Sequence, residues 1–258
     1  MSLGFWPLMV KKDTYIIKLI NFILSVKSKI NFVEKRKLNS SDYVIPGDSM
    51  FIILNGPSIK TQNLLKLAGQ NIMFSNRGFM HKDYKELSPK FHVFIDPKLV
   101  TGEWDVVWLD EIVKLVPDII FVMPVEWSLL DRFKPYIDKG YRFLWIKMKN
   151  RLDCTGVSGA CFETARILGF KKIYFTGFDA NGLAHEMLKS AESHFYGQND
   201  ENNIKTTVDF TRDLYMFSRH LNDLNDLAKE YKKNGIKIIN LTNGGLLDMF
   251  VRDDFDKI

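Results

Sequence analysis

Cysteine is nearly missing from this chain of 258 residues, which has two, Cys154 and Cys161. They lie seven positions apart in a stretch of helical composition. That is about 10 Å along a helix axis, too far to bridge. The spacing points to two free thiols in a reducing compartment and gives no support to a cysteine-based metal site. Long apolar runs are missing too. The run Leu19 to Leu24, with Asn21 inside it, falls far short of the ~20 residues that span a bilayer, and no small-residue cleavage site follows it. Neither G-x-G-x-x-G nor a Walker sequence occurs, which argues against a dinucleotide enzyme and a P-loop nucleotidase. Compositional bias is absent: 46 % hydrophobic and 26 % charged residues exclude disorder, collagen and repeat arrays. A chain of this length suits one sizeable domain, which buries roughly three quarters of its unfolded surface without help from disulfides or metal.

The body of the chain has no charge excess. Residues 1–47 carry eight of the 36 basic and three of the 31 acidic residues, which leaves 28 of each sign in 48–258. The net charge of +5 therefore belongs to the N-terminal segment. A nucleic-acid reader carries its basicity on the folded domain, so that partner class is argued against. From Asp13 to Val33 the apolar residues recur at helical spacing, with Asp13 or Thr14 as the cap. Flanked by lysines, this helix suits the interface of an anionic membrane. It suits equally a helix packed on the domain itself with its lysines in water.

After a linker, Asn39–Asp48, short apolar segments alternate with helical ones. Strands are expected at Met50–Leu54, Asn71–Phe74, Phe91–Ile95, Asp118–Val122, Tyr141–Ile146, Lys172–Thr176 and Lys237–Asn240. Helices are expected at Ile59–Leu67, Thr155–Leu168 and 206–233. Fully apolar strands between helices imply an α/β fold of the Rossmann-like kind, a mostly parallel sheet covered on both faces. In such sheets ligands sit beyond the carboxyl ends of the strands. Here those ends read Asn55, Gly56, Pro57, Ser58, then Ser75 and Asn76, then Asp96, then Gly177 and Asp179. One such polar end is turn chemistry; several in succession make a site. Residues 180–205, rich in Asn, Gly, Ser, Glu and His, are expected to form a lid or a plain surface insertion.

The stretch Ile52-Ile53-Leu54-Asn55-Gly56-Pro57-Ser58-Ile59-Lys60 resembles the opening strand and loop of the bacterial sialyltransferases of glycosyltransferase family 42. Arg151 through Asp179 resembles the same family's arginine loop, small-residue helix and following strand. Ser193-His194-Phe195-Tyr196-Gly197-Gln198 resembles its histidine-bearing lid, and Ile236–Asn240 with Gly245-Leu246-Leu247 its terminal strand. The resemblance covers about residues 50–250 in order. The first two motifs recur in a wider group of sugar-related and Maf-like proteins that includes hydroxymethylpterin diphosphokinases.

The resemblance implies a single-domain transferase over 48–258. Such an enzyme takes a CMP-activated acidic sugar, inverts the anomeric centre, and needs no metal and no cofactor. Gly56 admits close backbone approach, Pro57 presets the turn, and a following helix N-terminus favours phosphate; a tight turn capped by Ser58 is the plain alternative. Asn55, Ser75 and Asn76 offer neutral hydrogen-bonding groups to a nucleotide. Arg151 matches the position that meets the acceptor or an acidic sugar's carboxylate. Two positions depart from the family. Asp96 stands where an asparagine is usual before proline, and Gln198 where the family has its catalytic histidine. Glutamine is no base, so His194 and then His185 are the remaining candidates, although a lone histidine is more often structural. The family's lid tyrosines are missing from Ala180–His185, which leaves Tyr196 as the substitute.

The expected function is transfer of a sugar from a CMP-type donor to a saccharide or lipid-linked saccharide, in surface polysaccharide or lipopolysaccharide synthesis. The expected place is the cytoplasm or the inner membrane surface. Diphosphate transfer to a pterin, requiring Mg²⁺, and non-catalytic nucleotide-sugar binding are the alternatives. Deleting residues 1–40 separates the two readings of the basic segment. An interfacial helix predicts lost binding to anionic liposomes with the body still folded; aggregation of the truncated body marks a helix that belongs to the core.

Overall fold

The structure, a computed structural model, describes residues 45–146, 156–180, 193–197 and 206–258. The N-terminal segment up to residue 44 lies outside them, as do Cys154, Arg151, His185, Gln198 and the expected lid, apart from Ala180 and 193–197. In chain order the elements are β1 (Ser49–Ile53), β2 (Ile72–Ser75), α1 (Tyr84–Leu87), β3 (Phe91–Val93), α2 (Lys98–Thr101), α3 (Trp108–Leu115) and β4 (Ile120–Pro124). Then come α4 (Lys134–Asp138), β5 (Arg142–Ile146), α5 (Gly156–Ile167), β6 (Lys172–Thr176), α6 (Thr207–Lys233), β7 (Lys237–Asn240) and β8 (Val251–Arg252). Among the described residues the strands make a single sheet in the order β5-β4-β3-β2-β1-β6-β7-β8, and every neighbouring pair is parallel.

The α/β Rossmann-like sheet expected from the sequence is therefore present, and its apolar strands have a plain cause. Phe51 and Ile53 of β1 face one core and Met50 and Ile52 the other. Both faces are buried, so polar residues have no outward position to occupy. The first core packs under α1 to α4 through Tyr84, Leu87, Leu99, Leu109, Ile112 and Tyr136. The second packs under α5 and α6 through Ala160, Cys161, Phe162, Ala165, Leu224 and Tyr231. Cys161 is buried there, and burial pushes its thiol pKa up.

The helix expected over Ile59–Leu67 is not one helix. Two 3₁₀ turns, Pro57–Thr61 and Leu64–Leu67, stand in its place. The break falls at Gln62, whose backbone is extended. Its side-chain amide donates to the Leu241 carbonyl (2.7 Å) and accepts from the Thr176 hydroxyl, tying this connection to the ends of β6 and β7. A five-residue 3₁₀ turn carries little macrodipole, so the anion-favouring helix end expected after Pro57 is absent.

The start of α6 is fixed locally. Thr206 Oγ1 accepts from the Asp209 N–H (3.1 Å) and Asp209 returns the contact to the Thr206 N–H (3.0 Å), a reciprocal cap. Its 27 residues extend about 40 Å, so its later turns pack on the sheet while its first turns project past the strand ends. β8, two residues long with Val251 exposed, gave no periodic signal.

Phe162 of α5 is fully buried with ring centroids 5.3 Å from Phe175 and 5.6 Å from Phe250. Phe162→Ala leaves a cavity at that three-ring contact and is expected to lower unfolding stability by ~3–5 kcal/mol, read as a lower urea midpoint at unchanged slope.

Candidate functional site

From β1 the chain proceeds outward through β2 to β5 on one side, then returns to place β6 on the other side of β1. Connections that leave in opposite directions open a crevice beyond the carboxyl ends of these two strands, the switch point where open α/β sheets bind ligands. A cleft of about 520 Å³ occupies that position. Leu54, Asn55 and Gly56 line it from the end of β1, Ser75 and Asn76 from β2, and Gly177 to Ala180 from β6. Its walls are Gly156, Val157 and Ser158 of α5, Ser193 and His194, and Asp213, Met216, Phe217 and His220 of α6.

The ends of β1 and β6 are sutured together. Leu54 N–H donates to Thr176 O (2.9 Å) and Gly56 N–H to Gly177 O (2.7 Å). The Asp179 carboxylate, almost fully buried, accepts from the Ser58 hydroxyl (2.9 Å) and from the Ser58 N–H at 3.4 Å. A Cβ on Gly56 would lie 1.8 Å from Asp179 Oδ2, and one on Gly177, whose φ is +73°, would lie 2.3 Å from the Leu54 carbonyl oxygen. Glycine is thus required at both positions. The group that approaches Gly56 so closely is the chain's own carboxylate, where the sequence suggested a phosphate.

The floor of the cleft is polar and incompletely paired. Asn55 Nδ2 donates to the Ser75 carbonyl (3.1 Å), which orients the amide and leaves Asn55 Oδ1 buried without a hydrogen-bond partner. Ser75 Oγ and Asn76 Oδ1 are in the same state. Buried polar atoms in native proteins are nearly always satisfied, so three orphans on three lining residues mark a place shaped for donor groups.

Asn76 holds a left-handed backbone, φ +48°. Its carbonyl accepts from His92 Nε2 (2.8 Å), and His92 Nδ1 lies 2.8 Å from the Tyr84 hydroxyl. A carbonyl only accepts, so the ring proton sits on Nε2 and Tyr84 donates to Nδ1. Burial enforces both states. It drives the His92 pKa down to about 3, and it pushes the Tyr84 phenol well above its ordinary value.

Residues 193–197 are anchored to the same strand end. Phe195 N–H donates to Asn55 O (2.9 Å), and its ring packs edge-on to His81 at 5.2 Å. Tyr196 stacks on His194 (4.8 Å, 10° between planes). The Arg77 guanidinium lies 5.6 Å from the ring centroids of Tyr196, Trp104 and Trp108 alike, within cation–π reach of all three.

The cleft gathers Asn55, Gly56, Ser75, Asn76, Gly177, Asp179 and His194 from the sequence-derived set. Ser58 supports it through Asp179. Pro57 begins the adjoining 3₁₀ turn, and Tyr196 stands behind His194; neither lines the cleft. Asp96 stands apart from it, with its carboxylate accepting from the Lys98 N–H (3.0 Å) at the start of α2. Arg151, His185 and Gln198 are outside the described residues. The sequence reading missed the α6 wall and the first turn of α5. Positions 213, 216, 217 and 220 share one helical face, and a histidine with an aspartate on it was the available signal.

The Tyr84–His92–Asn76 chain has an acid signature. Unfolded His92 takes up a proton near pH 6.5, whereas folded His92 resists until about pH 3. Its contribution to stability is therefore complete above pH 6.5 and is lost as pH falls from there towards 3, by about 1.4 kcal/mol per pH unit within the window. His92→Gln is expected to show a stability–pH slope shallower by that amount between pH 6 and 4, measured by denaturant titration at each pH.

No protein-family model matches the chain, and no curated protein matches it. Solved structures similar to it include the sialyltransferase CstII from Campylobacter jejuni. In complex with a substrate analogue, cytidine-5'-monophosphate, it is 17 % identical at a TM-score of 0.48, covering 80 % of this chain and 84 % of that one. In complex with CMP-3FNeuAc the values are 17 % and 0.48, covering 79 % and 85 %. Sialyltransferase CST-II in complex with trisaccharide acceptor and CMP is 16 % identical at a TM-score of 0.47, covering 79 % and 85 %.

Proposed function

We propose that the cleft binds a CMP-activated sugar and that the chain transfers that sugar to a saccharide acceptor, as a sialyltransferase-like glycosyltransferase. The observation that carries this reading is the cluster of unpartnered buried polar atoms, Asn55 Oδ1, Ser75 Oγ and Asn76 Oδ1, at the β1/β6 switch point. Two carbonyl oxygens and a hydroxyl suit the hydroxyls of a ribose and the exocyclic amine of cytosine, and they add no charge that would repel a phosphate. The first turn of α5, a helix of 12 residues, opens into the cleft at Gly156 to Ser158. Its positive end is the place for the nucleotide phosphate; the Gly56–Ser58 turn already holds Asp179. The motif resemblance gives the reading its cytidine and its acidic sugar.

The chemistry asked of the site is displacement at the anomeric carbon with inversion. An acceptor hydroxyl must lose a proton as its oxygen attacks, and the departing phosphate must be met by positive dipoles. In this scheme the α5 N–H groups meet the phosphate, and Arg151 takes the sugar or acceptor carboxylate. No metal or cofactor enters it. The acceptor is a saccharide, lipid-linked if the basic N-terminal segment works at the anionic inner membrane surface; no helix among the described residues is long and apolar enough to cross a membrane. A second reading, nucleotide-sugar binding without turnover, is favoured by Gln198, which stands where the resemblance expects a histidine.

Melting temperatures with CMP, CDP, UDP, GDP and Mg²⁺–ATP, followed by CMP release from CMP-sugars with and without saccharide, test the proposal. Cytidine nucleotides are expected to raise the melting temperature most. Stabilisation by none of them overturns the reading, stabilisation by Mg²⁺–ATP alone points to diphosphate transfer, and binding without release selects the second reading. Ser75→Ala gives effects of opposite sign. Removing an unsatisfied buried hydroxyl leaves the ligand-free protein as stable or about 1 kcal/mol more so, while CMP affinity falls about 3- to 10-fold.

A further inference from the structure

Two imidazoles line the cleft, and their settings differ. His194 stacks on Tyr196, with its Nδ1 2.9 Å from the Ser193 hydroxyl next to it in the chain. His220 stands on α6, whose later turns are packed into the second core through Leu224 and Tyr231. Its Nε2 lies 3.4 Å from Ser158 Oγ on the first turn of α5, and the Phe178 ring lies 5.8 Å away from the turn after β6. The backbone makes room for this ring. Gly156 has φ +58°, and a Cβ there would stand 2.9 Å from His220 Cε1 and 3.2 Å from Nδ1. Three separate elements thus seat one partly exposed imidazole beside the end of α5, where the nucleotide phosphate is placed above.

We propose that His220 is the general base of the transfer and that Ser158 is its positioning residue. The proposal rests on the reading of the cleft as a glycosyl-transfer site. As the acceptor oxygen bonds to the anomeric carbon, its proton passes to the His220 imidazole. The bond from that carbon to the phosphate oxygen breaks, and its electron pair leaves with CMP. The imidazolium then returns the proton to water. In the neutral ring Nε2 carries the proton and donates to Ser158 Oγ, which leaves Nδ1 bare to take the acceptor's proton, so Ser158 holds the ring in both states. The assignment also accounts for Gln198: the base is supplied from the long helix, and the position that the resemblance gives to histidine is free to be glutamine.

The test measures kcat for CMP release between pH 5 and 9, and CMP affinity by calorimetry, on the full chain and on His220→Asn, His220→Gln, His194→Asn and Ser158→Ala. Both His220 variants are expected to bind CMP within about twofold of the unaltered chain. Their turnover falls about 10²-fold or more, and the acid-side loss of rate disappears from their profiles. His194→Asn keeps that acid limb, and Ser158→Ala keeps it but displaces it along the pH axis. A cooperatively melting His220 variant with turnover within threefold of the original overturns the proposal, as does an acid limb that vanishes with His194. If neither His220 variant folds, an unshifted limb in Ser158→Ala overturns it. Absence of both CMP binding and release in the unaltered chain removes the transfer reading itself; CMP binding without release leaves the binding site standing and overturns the base.

Discussion

The Asp179 carboxylate is held against the turn that follows β1, at the point where the sheet reverses its direction of growth. Ser58 supplies its hydroxyl and N–H, and Gly56 leaves the space that any side chain would fill. This contact, between residues 121 apart in the chain, joins the turn after β1 to the turn after β6 and keeps the two strand ends together at the cleft. Asn55 depends on it twice. Its carbonyl receives the Phe195 N–H and its amide reaches the Ser75 carbonyl, so the anchored segment 193–197 and the end of β2 both take their positions from the same joint.

The polar groups around that joint are divided by their electrostatics. The carboxylate next to β1 is consumed internally, and the floor beneath it offers neutral oxygens. Positive potential comes from the first turn of α5, across the cleft. A ligand with donor groups at one end and a phosphate further along matches that polarity; an anion placed on the Gly56–Ser58 turn would meet Asp179 instead. Asn76 is kept in its unusual backbone conformation by a buried neutral histidine, so the shape of the floor rests on a side chain in the core.

Much of the architecture was legible because burial on both faces leaves a strong trace. Lys172–Thr176 and Lys237–Asn240 are strands over the stretches their sequences indicate, since apolar and β-branched runs between helices have few other fates. Ile59–Leu67 misled for a specific reason. Its apolar spacing suits a helix, but the Gln62 side chain finds partners at Thr176 and Leu241, and those contacts outweigh local propensity. Asp96 misled in a similar way. It follows a strand as the other cleft residues do, yet its strand is two places from β1, and its carboxylate turns to the Lys98 N–H.

The sequence by itself determined the class of sheet and the polar residues that finish its strands, because the alternation of short apolar runs with helices is a local property that burial imposes on each segment. Only the tertiary structure decided which of those ends share a cleft. Strand order brings β1 beside β6 and leaves Asp96 aside. The projecting length of α6 brings His220 to Ser158, a meeting of residues 62 apart in the chain. Such a contact depends on where a long helix crosses the sheet, and no pattern within either segment records it.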